Sequence, residues 1–225
     1  MNTVKLGKRL MAAAEFCRKG SFIADVGTDH AHLPIYLHQK GIISGAVASD
    51  INEGPIERAR INISANRLSD KIDTVLCDGL SELEGYSPKD IFILGMGGEL
   101  IAKIIDNAPF VKDESVRLIL QPMTHWEILR KYLCENGFTI VDEALVKEDR
   151  IYRIIVAEYS GICEEYSEVE LILGRLNIEQ RDPLLYELTE RSLDVINERI
   201  KGKLSGGADA SSDIALAEKL KEIIK

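Results

Sequence analysis

The stretch Phe22–Tyr36, with the sequence FIADVGTDHAHLPIY, constrains the fold of this chain more than any other. It begins with a short apolar run typical of a buried strand, passes through a polar turn at Asp25–Asp29, and continues into a helix. Gly27 has no β-carbon, so the backbone can approach a ligand closely there. A doubly wound α/β sheet binds nucleotide-like ligands at such a junction, beside the carboxyl end of its first strand.

The polar turn also restricts the chemistry of that ligand. A dinucleotide fingerprint would need glycines where Asp29 and His32 stand, and a carboxylate at position 29 would repel a pyrophosphate. A nucleotide-dependent oxidoreductase is therefore disfavoured. A turn rich in aspartate suits a ligand with amines, hydroxyls and positive charge, and S-adenosylmethionine has a sulfonium, an ammonium and no phosphate.

Two further predicted strands end in acidic residues. Asp50 follows the run Ala46–Ser49 and lies about 20 residues past the first turn, where an acid accepts hydrogen bonds from ribose hydroxyls. Asp78 follows Thr74–Cys77, and its carboxylate can accept from an exocyclic amine while Gly79 permits the turn. The structural alternatives are a helix cap for Asp50 and a plain Asp-Gly turn for Asp78.

The fourth predicted strand, Ile91–Leu94, leads into a run of small residues formed by Gly95, Met96, Gly97 and Gly98. Three glycines after a buried strand predict an open, backbone-lined surface where a flat substrate can lie beside the cofactor. The alternative is a tight strand-to-helix turn. Gln121 and Pro122 follow the fifth predicted strand. Together with Gly95, Met96, Gly97 and Gly98 they are the predicted catalytic residues, although Gln121 can equally satisfy local backbone groups.

The pattern predicts an α/β domain over residues 1–160, with a seven-stranded sheet that ends in an antiparallel hairpin. Residues 161–225 form a small all-α, coiled-coil-like domain, with one helical pattern over 167–203 divided at Pro183 and a last helix capped by Asp213. An opening helix over 3–19 and a capping box at Thr124 are also expected.

Composition and charge bound the partners and the location. The net charge of −9 argues against broad nucleic-acid affinity, but Lys5, Lys8 and Arg9 would share one helix face that either is simply solvated or contacts phosphates. No apolar run approaches the ~20 residues of a membrane span, so a cytoplasmic protein is expected. The four cysteines form no C-x-x-C pair and are read as buried free thiols. His30 and His32 are placed on different helix faces, and no metal site is expected.

The chain resembles the bacterial tRNA (adenine-22-N1) methyltransferases in a set of motifs that occur in the same order. These are ADVGTDHAHLPIYL (24–37), SDIN (49–52), CDGL (77–80), LGMGGEL (94–100) and QPMTHWEILRKYL (121–133). The resemblance implies a Rossmann-like class I methyltransferase domain, a helical C-terminal domain, S-adenosylmethionine as cofactor and tRNA as substrate.

The resemblance also implies residue roles. The first cofactor loop, around the methionine end, would consist of Asp25, Gly27, Thr28, Asp29 and His30. Asp50, Ile51 and Asn52 would hold the ribose, and Asp78 and Gly79 the cofactor's adenine. Gly95, Met96, Gly97 and Gly98 would line the pocket where the methyl group meets the target adenine. Methylation of another RNA position, a small molecule or a protein stays open, as does a non-catalytic tRNA-binding module.

Overall fold

The computed structural model describes residues 4–225, and this part of the chain forms seven strands and nine α-helices. The strands are β1 (Phe22–Val26), β2 (Gly45–Asp50), β3 (Ile72–Leu76), β4 (Asp90–Gly97), β5 (Arg117–Thr124), β6 (Phe138–Lys147) and β7 (Ile151–Tyr159). The helices are α1 (Lys8–Ala14), α2 (His32–Gln39), α3 (Glu53–Ala65), α4 (Gly98–Asp106), α5 (Trp126–Glu135), α6 (Glu168–Leu173), α7 (Arg175–Glu179), α8 (Leu185–Ser205) and α9 (Ser211–Ile223).

The strands form one sheet in the order β3-β2-β1-β4-β5-β7-β6, which confirms the predicted seven-stranded architecture. Strands β1 to β5 run parallel, and β7 is antiparallel to both β5 and β6. After β1 the chain forms β2 and β3 on one side of the sheet, and after β4 it forms the remaining strands on the other side. The carboxyl ends of these two central strands therefore flank the crevice in which such sheets bind ligands.

The central strands are buried on both faces because helices cover both sides of the sheet. Ile91, Phe92 and Ile93 are each 0% exposed, and Phe92 packs into a different cluster from its two neighbours. Continuous apolar runs are typical of parallel strands in this position. The core thus holds the strand ends rigidly, and the polar turns that follow them stand at one edge.

The C-terminal helices pack against the hairpin of β6 and β7 through a third cluster that includes Leu145 and Ile151. A fully buried ion pair reinforces this contact, with Arg130 Nη2 lying 2.7 Å from Glu143 Oε1. Arg130 also donates to the Leu171 carbonyl at 2.8 Å, and Glu143 accepts from the Leu176 backbone at 3.1 Å. The boundary between the two predicted domains, at residues 160 and 161, stays a prediction.

The first helix is shorter than the sequence pattern predicts. It begins at Lys8 and ends at Ala14, while Thr3, the first residue of the predicted segment, lies outside the described residues. Lys5 precedes the helix, so the expected face of Lys5, Lys8 and Arg9 on one helix is wrong. Gly7 is the N-cap with extended backbone.

Several other local predictions are wrong because backbone geometry or charges from another helix outweigh the local sequence pattern. Gly174, at φ +92°, divides the segment before Pro183, so the predicted pair of helices is three. Asp213 lies inside the first turn of α9 and pairs with Arg199 and Lys203, each at 2.6 Å, instead of capping the helix. His125, at φ +53°, is the N-cap of α5 without a side-chain cap bond, and Thr124 ends β5.

Two smaller expectations also fail. Cys163 is exposed and Cys17 partly so, whereas Cys77 and Cys134 are buried as expected. The rings of His30 and His32 stack with centroids 5.1 Å apart, so they share a surface. Within residues 4–225, no helix is both long and apolar enough to cross a membrane.

Candidate active site

The loop after β1 is held in place by its own backbone and by β2. The backbone N–H groups of Gly27 and Thr28 both donate to the Ser49 carbonyl at 2.8 Å. Thr28 Oγ1 accepts from the Ala31 N–H at 3.1 Å, and Gly27 adopts φ +76°, where glycine is favoured. The loop is therefore preformed, and it keeps the Asp25 carboxylate at the end of a rigid strand.

Asp25 is only 8% exposed, and burial raises the pKa of its carboxyl to about 6, against a smaller opposing effect of a hydrogen bond with Thr28. No lysine or arginine forms an ion pair with it among residues 4–225. A buried carboxylate without a cationic partner favours a cationic ligand, because such a ligand stabilises its charged form.

Asp29 and His30 lie at the outer side of the same loop. Asp29 Oδ1 accepts from Arg58 of α3, with the Nε donor at 3.1 Å, and this guanidinium holds the pKa of Asp29 below its usual value. Asp29 Oδ2 lies 3.2 Å from His30 Nε2. The structure thus gives Asp29 a cationic partner in the adjacent helix, whereas Asp25 has none among the described residues.

The second and third acidic strand ends lie beside the first. Asp50 and Leu76 are register partners, and the Cys77 N–H donates to the Asp50 carbonyl at 3.1 Å, which brings Asp78 close. Asp50 Oδ1 accepts from the Asn52 N–H at 2.7 Å, but the N-cap of α3 is Asn52, so Asp50 does not take the helix-cap role considered from the sequence.

The side chains around these two carboxylates are open to solvent. Ile51 is 61% exposed, which leaves an apolar face at the sheet edge, and the Asp78 side chain is exposed with no hydrogen-bond partner among the described residues. Gly79 adopts φ +57°, and a β-carbon there would meet Ile104 at 3.1 Å. Together these positions form a polar rim with one apolar surface, suited to a ribose and a flat base.

The glycine segment, Gly95 to Gly98, spans the end of β4 and the start of α4, and it faces the loop after β1. The pairing of β4 with β5 is irregular at Met96, and such bulges re-aim side chains next to active sites. The Met96 side chain lies over Gly27, where it would collide with a β-carbon on that glycine. Gly95, at φ +82°, is exposed. The two glycine-bearing loops thus meet through a flexible thioether.

Gly98 differs from the other glycines of this segment. It is buried at the start of α4, and a β-carbon there would collide with the His125 carbonyl. At Gly97 the nearest atom to a β-carbon would be Thr124 Oγ1, at 3.3 Å. The structure therefore gives Gly98 a packing role beneath the surface that Gly95, Met96 and Gly97 form.

Sequence reasoning missed how α1 contributes to this site. Gln121 is fully buried, and its Oε1 accepts a hydrogen bond of 2.6 Å from Arg9 Nη1, while its Nε2 donates to the Pro122 carbonyl. Arg9 Nη1 lies 3.6 Å from the position of a β-carbon on Gly95, and its guanidinium lies 5.6 Å from the Tyr152 ring centre. The sequence indicated Arg9 as one of three candidate phosphate contacts, but nothing in it predicted the contact with Gln121.

Lys5 and Lys8 do not join Arg9 at the glycine segment. Both side chains are exposed, and the Lys8 backbone N–H donates to Glu148 at 3.1 Å. No group of three or more histidine, cysteine or carboxylate side chains within residues 4–225 is arranged to hold a metal ion.

The strand order, the acidic turns at three neighbouring strand ends and the glycine-rich fourth strand end define a Rossmann-like methyltransferase. The family model described as "Methyltransferase domain" matches residues 6–155. The chain belongs to the tRNA (adenine-22-N1) methyltransferases of bacteria, as its motifs predict.

The relatives that support this assignment cover most of the chain. A tRNA (adenine(22)-N(1))-methyltransferase of Bacillus subtilis is 36% identical over 177 residues, which are 78% of this chain and 74% of that protein. The crystal structure of the B. subtilis M1A22 tRNA methyltransferase TrmK has a TM-score of 0.87 at 28% identity and covers 99% of this chain and 100% of that one. Streptococcus pneumoniae Sp1610, solved in complex with S-adenosyl-L-methionine, has a TM-score of 0.87 at 30% identity, covering 98% and 100%.

Proposed function

We propose that this protein transfers a methyl group from S-adenosylmethionine to N1 of adenine 22 in tRNA. The observation that carries the proposal is the meeting of an aspartate-rich first loop with the glycine-rich end of β4, in a chain 36% identical to a methyltransferase of that specificity. Bound S-adenosylmethionine supplies an electrophilic methyl group on a sulfonium, and the carboxylates at the strand ends suit its positive charge and hydroxyls.

The residues at the three strand ends divide the cofactor between them in this proposal. The loop of Asp25, Gly27, Thr28, Asp29 and His30 surrounds the methionine end, with Asp25 as the buried carboxylate that favours a cation. Asp50 accepts from the ribose hydroxyls, with Ile51 and Asn52 beside it. Asp78 and Gly79 hold the adenine ring at the outer edge.

The chemistry needs no dedicated general base. Adenine N1 carries an in-plane lone pair that forms the new N–C bond, while the electrons of the broken C–S bond return to sulfur and the base takes the positive charge. Catalysis then depends on positioning and on dipoles aimed at the developing charge. Backbone carbonyls at Gly95–Gly98 are suited to accept from the adenine amino group. The sequence LGMG at the end of β4 also lacks the Asp/Asn-Pro-Pro-aromatic motif of amino-directed adenine methyltransferases.

N1 lies on the Watson–Crick edge, so the target nucleotide has to leave its pair or stack before it reaches the site. Arg9 leans over the glycine segment with one donor fixed by Gln121, and it supplies a phosphate contact for the extruded nucleotide. Lys5 and Lys8, whose side chains are exposed, add weaker contacts to the tRNA backbone in this proposal. Because tRNA is the substrate, the protein acts in the cytoplasm.

Mass-spectrometric mapping of the methyl group on total tRNA treated with the purified protein tests the proposal. We expect N1-methyladenine at position 22 and its absence without S-adenosylmethionine. Asp78→Ala and Gly97→Val are expected to lose most of the transfer. Full activity in both variants would contradict the site, and methyl groups found only at another RNA position, on protein or on small molecules would contradict the substrate.

A further inference from the structure

A groove of about 550 Å³ lies between the methyltransferase fold and the C-terminal helices. The end of β5, the start of α5 and the hairpin line one side, and α8 lines the other. Its apolar floor includes Leu188, Ile196 and Val195, and Val195 is 69% exposed. Four arginines stand around it, although the chain as a whole is acidic: Arg150, Arg153, Arg191 and Arg199.

Arg153 is the unusual member of this group. It is only 7% exposed, its guanidinium lies 3.4 Å from the Trp126 ring centre, and its Nε has no hydrogen-bond partner within the described residues. Trp126 Nε1 is likewise buried and unpartnered in the structure of residues 4–225. Burying a cation and a hydrogen-bond donor without acceptors costs free energy, unless a ligand supplies the acceptors.

The charges around Arg153 do not compensate for its burial. The guanidinium forms no ion pair with a carboxylate of residues 4–225, and the charges that act on its pKa are those of Arg130, Glu127 and Glu143. Burial lowers its pKa to about 9, and the charge of Arg130 acts in the same direction. An anion in the groove would restore the favourable environment that the guanidinium lacks.

Arg150 adds a second cation without a carboxylate partner among the described residues. It is exposed and lies 5.0 Å from the ring centre of Tyr152, whose ring also lies 5.6 Å from the Arg9 guanidinium. Arg191 and Arg199 differ, because they pair with Glu187 at 2.7 Å and Asp213 at 2.6 Å. The free positive charge is thus concentrated on the side nearest the glycine segment.

The groove is continuous with the proposed methyl-transfer site. Pro122 and Thr124, which line it, are the register partners of Met96 and Gly97 in β4. A strand of RNA whose nucleotide enters the glycine segment therefore has its next nucleotides at the mouth of the groove. Cations interleaved with aromatic rings over an apolar floor are typical of surfaces that bind unpaired nucleic acid.

We propose that this groove binds the unpaired RNA next to the target adenine, with a phosphate between Arg150 and Arg153 and a base against Trp126 and the apolar floor. The inference rests on the proposed function, because extrusion of the target adenine leaves its neighbours unstacked. Trp126 and the C-terminal helices then belong to the substrate site, and the helices form one wall of it.

The single tryptophan makes the groove directly observable. Titration of the full-length protein with unmodified tRNA transcript is expected to quench the fluorescence of Trp126 in a saturable manner. S-adenosylmethionine alone should leave the fluorescence nearly unchanged. The same titration of Trp126→Phe gives the background, and methyl transfer by the same preparation reports whether the tRNA is a substrate.

The variant Arg150→Ala separates the groove from general charge effects, because its exposed side chain can be removed without disturbing the fold. We expect about fivefold weaker tRNA binding and a salt slope smaller by about one, as for one lost phosphate contact. Arg67→Ala, which removes an exposed guanidinium near the opposite edge of the sheet, should change neither. Arg153→Gln should weaken binding further, and its thermal unfolding is measured alongside.

The outcomes are distinguishable. If the wild type methylates tRNA but shows no quenching, and Arg150→Ala binds as the wild type does, the groove proposal is overturned while the proposed function stands. If the wild type neither binds nor methylates tRNA, both fail. Quenching that Arg150→Ala weakens and Arg67→Ala does not would support the groove.

Discussion

Arg9 Nη1 donates a 2.6 Å hydrogen bond to Oε1 of Gln121, a residue 112 positions later in the chain. The bond fixes one end of the guanidinium at the carboxyl end of β5, while the rest of it leans over Gly95. A short helix that precedes the sheet in the sequence thus brings a cation to the glycine segment. Among residues 4–225, no carboxylate forms an ion pair with this cation.

The first prediction concerns Arg9. Arg9→Ala should raise the KM for tRNA by about tenfold, in line with the loss of one charge-assisted phosphate contact, and should leave the Kd for S-adenosylmethionine unchanged. Steady-state kinetics and calorimetry measure the two quantities, with Arg67→Ala as the matched control. An unchanged KM in Arg9→Ala would exclude the phosphate contact.

The second prediction uses two glycines that share a backbone conformation. Gly27 and Gly41 adopt φ +76° and +66°, so alanine at either position costs about 1–2 kcal/mol of stability. Only at Gly27 does the β-carbon displace Met96, since Gly41 has no atom within 4 Å of that position. Gly27→Ala should therefore weaken S-adenosylmethionine binding at least tenfold, and Gly41→Ala should not. Equal affinities of the two variants by calorimetry would show that the contact between the loop after β1 and Met96 does not shape the cofactor site.

The third prediction is a pH dependence from Asp25, whose pKa is raised to about 6 by burial. A cationic ligand needs the ionised carboxylate, so affinity for S-adenosylmethionine should fall as pH drops through 6, by up to tenfold per unit below it. The contribution of Asp25 to folding stability depends on pH in the opposite direction. Between the usual pKa of 3.8 and about 6 the folded state binds more protons than the unfolded state, so this group's contribution to stability falls as pH rises.

Calorimetry from pH 5 to pH 8 measures the dependence, with the intact cofactor concentration checked at each pH. Asp25→Asn mimics the protonated carboxyl, so it should bind weakly at every pH and remove the slope. A slope of the same size in Asp25→Asn would assign the titration to another group.

The fourth prediction separates packing from catalysis at Gly98. A β-carbon there collides with the His125 carbonyl, so Gly98→Ala should destabilise the fold by about 1–3 kcal/mol even though alanine favours helices. Gly202 is the control because it lies inside α8 with open space around it, and alanine there should stabilise by about 0.5–1 kcal/mol. Chemical unfolding measures both, and equal effects would contradict the packing role.

The fifth prediction concerns the buried ion pair between Arg130 of α5 and Glu143 of β6, whose side chains also hydrogen-bond to the backbone of the C-terminal helices. Glu143→Ala leaves the Arg130 guanidinium buried without its partner, which costs about 3–5 kcal/mol. Glu198→Ala breaks the exposed Lys201–Glu198 pair and should change stability by less than about 1 kcal/mol. If the two variants unfold at the same denaturant concentration, the buried pair does not stabilise the fold more than an exposed pair does.

Local pattern was sufficient for the sheet and for the acidic strand ends. Apolar runs such as Ile91–Ile93 form strands because both faces of a parallel sheet are buried, and the residues after each run then stand at one edge. Asp25, Asp50 and Asp78 could be placed together on that ground alone. The assignment to the methyltransferases followed from the same motifs and is confirmed by the relatives.

Helix boundaries near glycine and loops were less predictable. Gly174 and His125 adopt left-handed or irregular backbone, and these conformations overrule the apolar period around them. Asp213 had the residue type of a cap, but it pairs with Arg199 and Lys203 of the neighbouring helix. An acidic side chain caps its own helix only when no cation from another element competes for its carboxylate.

The sequence by itself determined the strands, their polar ends and the kind of ligand those ends suit, because each depends on residues next to one another in the chain. Only the tertiary structure decided that Arg9 meets Gln121, that Met96 covers Gly27, and that Arg153 and Trp126 line a groove with α8. Those contacts join elements far apart in sequence, and packing geometry, which no local period encodes, selects among the many partners that the same side chains could accept.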